Sequence, residues 1–278
     1  MWSLPAPNIP ARALYLTCVS NTLPKVKRAK LEALEDTVAD AADRYEAAAS
    51  AAALHTLKDL KGEPADKAVQ EELKKNYTQR MARPYAPGRD VYNEIKASVR
   101  FGRCPLCGER HVETVDHQLP KGDYPLLAVV PVNLVPACRS CNALKGEAAP
   151  ASAEEQTLHP YYDDIGKQQW LFARVLEDAP AAVEFFVKPP EEWDKVLVAR
   201  VRRHFRMFKL GDLYGPHAAA EMSSLRHYLK GMDTQAVAAH LGKMADSLFV
   251  DDLNHWRGVM YQALAANSWY VNGGFAAV

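Results

Sequence analysis

The chain has 278 residues and no net charge, because thirty-four Lys and Arg balance thirty-four Asp and Glu. This balance excludes attraction to nucleic acid through an overall positive field, so any polyanion binding must come from a local patch. Hydrophobic residues make up 48% of the chain, enough to bury a substantial core. No apolar run approaches the roughly 20 residues of a membrane-spanning helix, and no signal-peptide pattern is present. We therefore expect a cytoplasmic protein without a membrane partner.

Residues 1–100 are predicted to form an N-terminal helical region. A proline-rich lead-in surrounds a short helix at about 11–20. Residues 25–60 contain no Pro or Gly and place apolar side chains at helical spacing, which predicts one long helix or a broken pair. Further helices are predicted over about 65–81 and 91–100, the last with Asp90 as its N-cap.

Residues 166–278 are predicted to form a mainly helical C-terminal region. Its one exception is a pair of strand-like runs, 169–177 and 182–188, which a turn joins into a β-hairpin. The fold class is therefore α+β, mainly α. The predicted helices of this region cover residues 190–209, 216–231, 233–248 and 251–267.

Between these regions, residues 101–165 contain four of the five cysteines, in two Cys-x-x-Cys pairs. Two intervening residues let both sulfurs of a pair reach one ion, and Zn²⁺ binds four thiolates tetrahedrally. The pairs Cys104/Cys107 and Cys138/Cys141 therefore predict a structural zinc site; two unrelated reduced pairs are the alternative. Closed coordination leaves this ion no open position for chemistry.

The interval between the two pairs contains residues suited to a second metal. Val112, Thr114 and Val115 predict a short strand that ends in Asp116 and His117, and a helix is predicted to begin around Cys138. A carboxylate and an amide oxygen are ligands for a hard cation such as Mg²⁺ or Mn²⁺. A neutral imidazole is suited to removing a proton from water.

These residues resemble the motif of HNH endonucleases: Cys-x-x-Cys, Asp-His-x-x-Pro, Asn-Leu, then Cys-x-x-Cys-Asn-x-x-Lys. The resemblance implies a zinc-stabilised ββα-metal core in which His117 is the general base and Asp116 and Asn142 hold Mg²⁺ or Mn²⁺. It also implies that Asn133 braces the loop and that Lys145 lies near a substrate phosphate. Many members have His where this chain has Asn142, and an amide oxygen favours Mg²⁺.

A second resemblance extends beyond the motif. The stretch from Asp116 to Pro125, together with His159-Pro160-Tyr161-Tyr162-Asp163, is similar to the nuclease subunit of Septu-type antiphage defence systems, the PtuB group. That group acts on DNA beside an ATPase partner. The similarity implies that His159 enters the active site; an ordinary buried loop histidine is the alternative.

Basic side chains supply the candidate substrate contacts. Arg139 and Lys121 lie nearest to the motif. Farther along, Arg202, Arg206 and Lys209 follow one another at i, i+4 and i+7 on a predicted helix. This stripe fits phosphate contacts, but the solvated face of an amphipathic helix is the commoner explanation of such a pattern.

The expected function is hydrolysis of DNA phosphodiester bonds with one divalent metal and a histidine base. Two alternatives stay open. The same chemistry is also found in RNA- and tRNA-cleaving toxins. The second alternative is a zinc-ribbon module that binds nucleic acid without cleaving it. In that case Asp116-His117 would be an accidental pair without a catalytic role.

Overall fold

The computed structural model describes residues 3–277, which form an α+β fold. The chain divides into two compact units, one ending at Asp164 and the other beginning at Ile165. The predicted N-terminal helical region and the cysteine-containing region lie together in the first unit. Within residues 3–277, no helix has both the length and the apolar character needed to cross a membrane.

The first unit begins with five helices. The predicted break within residues 25–60 is confirmed, since the chain turns between α2 and α3 and ends the stretch in a 3₁₀ segment, Leu54–Leu60. The predicted cap of the fifth helix is wrong: Gly88 is the N-cap, and Asp90 lies in the first turn, where its charge favours the helix dipole. The helices are α1 (Ala11–Val19), α2 (Lys25–Glu32), α3 (Glu35–Ser50), α4 (Lys67–Thr78) and α5 (Arg89–Ala97).

The helical core of the first unit follows the apolar spacing of α3. Val38 and Tyr45 are fully buried, and Tyr15 of α1 packs in the same cluster, with its hydroxyl donating to the Leu31 carbonyl at 2.7 Å. This cluster also includes Val115 and Leu134, from the segment between the cysteine pairs. The helices and that segment therefore share one core.

The segment between the cysteine pairs forms an antiparallel strand pair. Strand β1 (Thr114–His117) pairs with β2 (Leu134–Ala137), in a register that sets Asp116 opposite Val135. Helix α6 (Arg139–Lys145) follows directly, with Cys138 as its N-cap. The predicted strand and the predicted helix start are thus confirmed, and the order along the chain is strand, strand, helix.

In the second unit, the predicted hairpin is confirmed as β3 (Leu171–Leu176) and β4 (Ala182–Val187), paired antiparallel. Strand β3 lies against α10 and β4 against α8. The predicted helix start at residue 216 is wrong, because Pro216 lies inside α8. The helices of this unit are α7 (Lys195–Met207), α8 (Leu210–Leu229), α9 (Thr234–Phe249), α10 (Trp256–Ala266) and α11 (Ser268–Val271).

Close packing around Cys18 gives a test of the first unit's core. Cys18, the cysteine outside the two pairs, is buried, and burial raises the pKa of its thiol to about 12. A Cβ on Gly88 would lie 2.8 Å from Cys18 Sγ and 3.2 Å from the Arg80 carbonyl oxygen. Gly88→Ala should therefore lower the free energy of unfolding by about 1–3 kcal/mol in urea titrations.

Two controls accompany this variant. Adding Cys18→Ala should recover part of the loss, because it removes the sulfur that the new methyl group meets. Gly242→Ala in α9 has no atom within 4 Å of its new Cβ, so this change should be neutral or stabilising. A Gly88→Ala protein as stable as wild type would contradict this packing.

Candidate metal centre and catalytic site

The two Cys-x-x-Cys pairs come together in the fold. The ligand atoms of Cys104, Cys107, Cys138 and Cys141 all lie within 4.8 Å of one another, and all four residues are buried. Tetrahedral Zn²⁺ with bonds of about 2.3 Å needs sulfurs about 3.8 Å apart. The donor set and its spacing are therefore compatible with structural zinc.

Backbone amides face two of these sulfurs. Arg110 N donates to Cys107 Sγ at 3.5 Å, and Cys141 N donates to Cys138 Sγ at 3.3 Å. Gly108 allows the first turn with its φ of 68°, and its amide donates to the Cys104 carbonyl at 2.7 Å. Amide donors stabilise the thiolate form that binds metal.

Strand β1 presents alternate residues to opposite sides, so Thr114 and Asp116 share one face. Helix α6 lies along that face: Asn142 Nδ2 donates to Thr114 Oγ1 at 3.2 Å, and Lys145 Nζ lies 3.7 Å from Asp116 Oδ2. Asn142 and Lys145 are one turn apart and therefore share a face of the helix. Thr114 and Asp116 are two residues apart and therefore share a face of the strand. The fold thus brings Asp116, Asn142 and Lys145 to one place.

The Asp116 carboxylate is poorly solvated. Its Oδ1 accepts from the His117 amide at 2.7 Å, whereas its Oδ2 is buried and has no hydrogen-bond partner. Burial raises the pKa of Asp116, although the nearby Lys145 ammonium opposes the shift. Carboxylate and amide oxygens such as those of Asp116 and Asn142 are ligand types that Mg²⁺ and Mn²⁺ bind.

Lys145 is buried beside Asp116. Its side chain is only 5% exposed, and its ammonium is paired with the Asp116 carboxylate. Burial lowers the pKa of Lys145, again against the influence of its partner. A position near a substrate phosphate stays a prediction for this residue.

His117 lies on the opposite side of β1 and is buried. Its Nε2 lies 2.9 Å from the Ala128 carbonyl oxygen. Since a carbonyl only accepts, Nε2 carries the proton and Nδ1 carries the lone pair. Burial lowers the pKa of the imidazole to about 3, so the ring is neutral at physiological pH.

Asn133 connects the two ends of the loop between the strands. Its Oδ1 accepts from the Leu119 amide at 2.7 Å, and its Nδ2 donates to the carbonyls of Leu119 at 3.0 Å and Leu127 at 3.1 Å. The loop residue next to Leu127 is Ala128, the partner of His117. These are the contacts of a residue that braces the loop and orients the histidine.

Tyr77 of α4 is a site residue that the sequence did not reveal. Its ring packs edge-on against His117 with centroids 4.3 Å apart, and its hydroxyl donates to the Val115 carbonyl. In the sequence, Tyr77 follows Leu73 at the four-residue spacing of a helix face, a pattern that is typical of any core residue. Through Tyr77, the N-terminal helices contact the strand that carries the site.

His159 lies among tyrosines in the first unit. It is fully buried, its Nε2 lies 3.0 Å from the Tyr45 hydroxyl, and its Nδ1 accepts from the Tyr161 amide at 3.2 Å. The Tyr161 hydroxyl in turn donates to the Leu134 carbonyl at 2.7 Å. These contacts fit the alternative of a buried loop histidine, and an active-site role for His159 stays a prediction.

The two remaining candidates lie on the surface. The Arg139 side chain is 78% exposed and forms an ion pair with Glu113 at 3.2 Å. Lys121 is half-buried, with its ammonium 5.6 Å from the centroid of the Tyr77 ring. Substrate contact by either residue stays a prediction.

The chain is similar to protein ea31 of Escherichia phage lambda. The two are 29% identical over 222 residues, a match that covers 73% of this chain and 74% of ea31. No family model matches the chain, and no solved structure matches it. The name of this relative indicates no activity, so a functional proposal depends on the site itself.

The cysteine cluster gives a direct prediction. Purified protein should contain one equivalent of zinc, and Cys104→Ser should lose both the metal and the cooperative thermal transition, because closed zinc sites contribute folding free energy. Elemental analysis and circular dichroism measure the two effects. Cys18→Ala, a change to a buried cysteine outside the cluster, should keep its zinc. A folded Cys104→Ser protein that retains zinc would rule out the four-sulfur site.

The contact between Tyr77 and His117 gives a second prediction. Tyr77→Phe keeps the ring and loses one hydrogen bond, which should cost about 1 kcal/mol of unfolding free energy. Tyr77→Ala also removes the ring and should cost about 3–5 kcal/mol. The His117 ring resonances should move in the NMR spectrum of the Ala variant far more than in that of the Phe variant. Equal stability of the two variants would refute this packing role.

Proposed function

We propose that this protein is a metal-dependent HNH endonuclease that hydrolyses phosphodiester bonds in DNA. The observation that carries the proposal is the buried Asp116 Oδ2, which accepts no hydrogen bond and whose ion-pair partner, the Lys145 ammonium, lies 3.7 Å away. A buried carboxylate oxygen without a hydrogen-bond donor is costly, and a divalent cation bound to it would reduce that cost. The adjacent neutral His117 supplies the second requirement of the reaction, a proton acceptor.

Asp116 and Asn142 would hold the catalytic Mg²⁺ or Mn²⁺. When bound, the ion would stabilise negative charge on the phosphate and on the leaving oxygen. Asn142 donates through Nδ2 to Thr114, and this bond turns the amide so that its oxygen is available as a ligand. Lys145, one turn farther along α6, would compensate part of the charge of Asp116.

His117 would act as the general base through Nδ1. The Ala128 carbonyl holds the proton on Nε2, so the ring presents its lone pair in one fixed orientation. A pKa of about 3 makes the isolated imidazole a weak base. An anionic phosphate beside the ring favours the imidazolium, and thus raises this pKa towards the range of an efficient base.

The zinc site would have a purely structural role. Cys138 is the N-cap of α6, and the turn containing Cys104 and Cys107 precedes β1. A metal held by all four cysteines therefore sets the position of the helix that carries Asn142 relative to the strand that carries Asp116. Loss of zinc should remove activity indirectly, by releasing this geometry.

We further propose that the nuclease works with an ATPase partner in antiphage defence. Support comes from the sequence similarity to the nuclease subunit of Septu-type systems. The zero net charge also favours delivery to DNA by a partner over recruitment by the protein's own field.

A cleavage assay tests the enzyme directly. Supercoiled plasmid and Mg²⁺ or Mn²⁺ are incubated with wild type, His117→Ala and Asn142→Ala, with and without any ATPase that a neighbouring reading frame encodes. His117→Ala should lower the cleavage rate by about 10²- to 10⁴-fold, the usual contribution of a general base. His227→Ala, an exposed histidine of the second unit, is the matched control and should keep full activity.

The substrate is decided in the same assay by adding tRNA and single-stranded RNA. If wild type cleaves RNA in preference to DNA and His117→Ala does not, the proposed reaction stands but the substrate is RNA and not DNA. Equal cleavage by wild type and His117→Ala under every metal and partner condition would overturn the nuclease proposal.

A further inference from the structure

The segment from α7 into the start of α8 carries an unusual concentration of positive charge. Residues 195–209 contain six Lys or Arg and no Asp or Glu, in a chain whose total charge is zero. Four of these side chains are exposed to solvent. We call them the basic face: Lys195, Arg202, Arg206 and Lys209.

Helical geometry aligns the basic face. At 3.6 residues per turn, Lys195, Arg202 and Arg206 lie within about 40° of one another around the axis, along roughly 16 Å of helix. The opposite side of α7 is buried through Val201 and His204. The helix is therefore anchored by one side and presents its cations on the other. The length of the row matches about five base pairs of duplex DNA.

The cations of the basic face are clustered and, in the part of the chain that the structure describes, are not used in ion pairs. Some other arginines of the surface are paired: Arg44 contacts Asp59 at 2.5 Å, and Arg174 contacts Glu184 at 2.6 Å. Within residues 3–277, no side chain of the basic face forms a salt bridge or a side-chain hydrogen bond. Four uncompensated cations on a rigid helix are suited to an external polyanion.

We propose that the basic face binds the phosphate backbone of nucleic acid. The choice of nucleic acid as the polyanion rests on the proposed nuclease function. Lys and Arg contacts to phosphates position the protein without reading the bases, so this surface would hold substrate independently of its sequence. The zero net charge makes such a local patch necessary for any direct contact with DNA.

Salt-dependent binding tests the proposal without relying on cleavage. Fluorescence anisotropy is measured with a 20-base-pair duplex in a His117→Ala background, for a variant with Lys195→Gln, Arg202→Gln and Arg206→Gln. Losing three phosphate contacts should lower the slope of log K against log salt by about 2.7. Between 50 and 200 mM salt, the variant should therefore lose about 40-fold less affinity than its parent. Single-stranded DNA and RNA probes distinguish the source of the phosphates.

The matched control is Arg174→Gln, Lys230→Gln and Lys243→Gln, which removes the same charge from exposed positions of the same unit. It should leave the slope close to that of the parent. Equal slopes for the two triple variants would overturn the proposal, as would binding of polyglutamate but not nucleic acid through the basic face. If the two triple variants have equal slopes while wild type cleaves plasmid and His117→Ala does not, only the binding role of the basic face is refuted. If the basic face binds nucleic acid but wild type cleaves nothing under every metal and partner condition of the plasmid assay, the nuclease proposal is refuted instead.

Discussion

The convergence of four cysteine sulfurs is the constraint on which the site depends. One sulfur pair precedes β1 and the other straddles the start of α6, yet all four atoms lie within 4.8 Å of one another. Buried sulfurs this close are stabilised when a cation binds them. Closure of the cluster therefore fixes where α6 crosses β1, and with it the approach of Asn142 and Lys145 to Asp116. A small strand pair with a short helix would otherwise have little stability of its own.

The N-terminal helices supply the other half of the support. The shared core joins α3 and α4 to both strands, and Tyr77 brings this packing directly against His117. On one side of β1, the helices bury His117, and this burial keeps its imidazole neutral. On the other side, α6 faces the carboxylate. Because alternate residues of β1 face opposite sides, the neighbouring Asp116 and His117 have very different environments.

Local patterns explain what could be predicted from the sequence. The Cys-x-x-Cys spacing, the strand ending in Asp116-His117 and the hairpin of the second unit each depend on residues close together in the chain, so their signals were readable. Tyr77, the burial of Lys145 and the tyrosine contacts of His159 depend on long-range packing. A lysine three residues after Asn142 looks the same in sequence whether it faces solvent or a buried carboxylate. The cap at Gly88 escaped prediction for the same reason, since contact with Cys18 selects a residue without a side chain.

We propose that the protein binds two metal ions at separate sites, a structural zinc at the four cysteines and a catalytic divalent ion at Asp116 and Asn142. Electron paramagnetic resonance of Mn²⁺ added to zinc-loaded protein measures this most directly. We predict that wild type binds one Mn²⁺ while keeping its zinc, and that Asp116→Asn keeps its zinc but weakens Mn²⁺ binding at least tenfold. Mn²⁺ that binds only by displacing zinc, or that binds equally well to Asp116→Asn, would contradict the account.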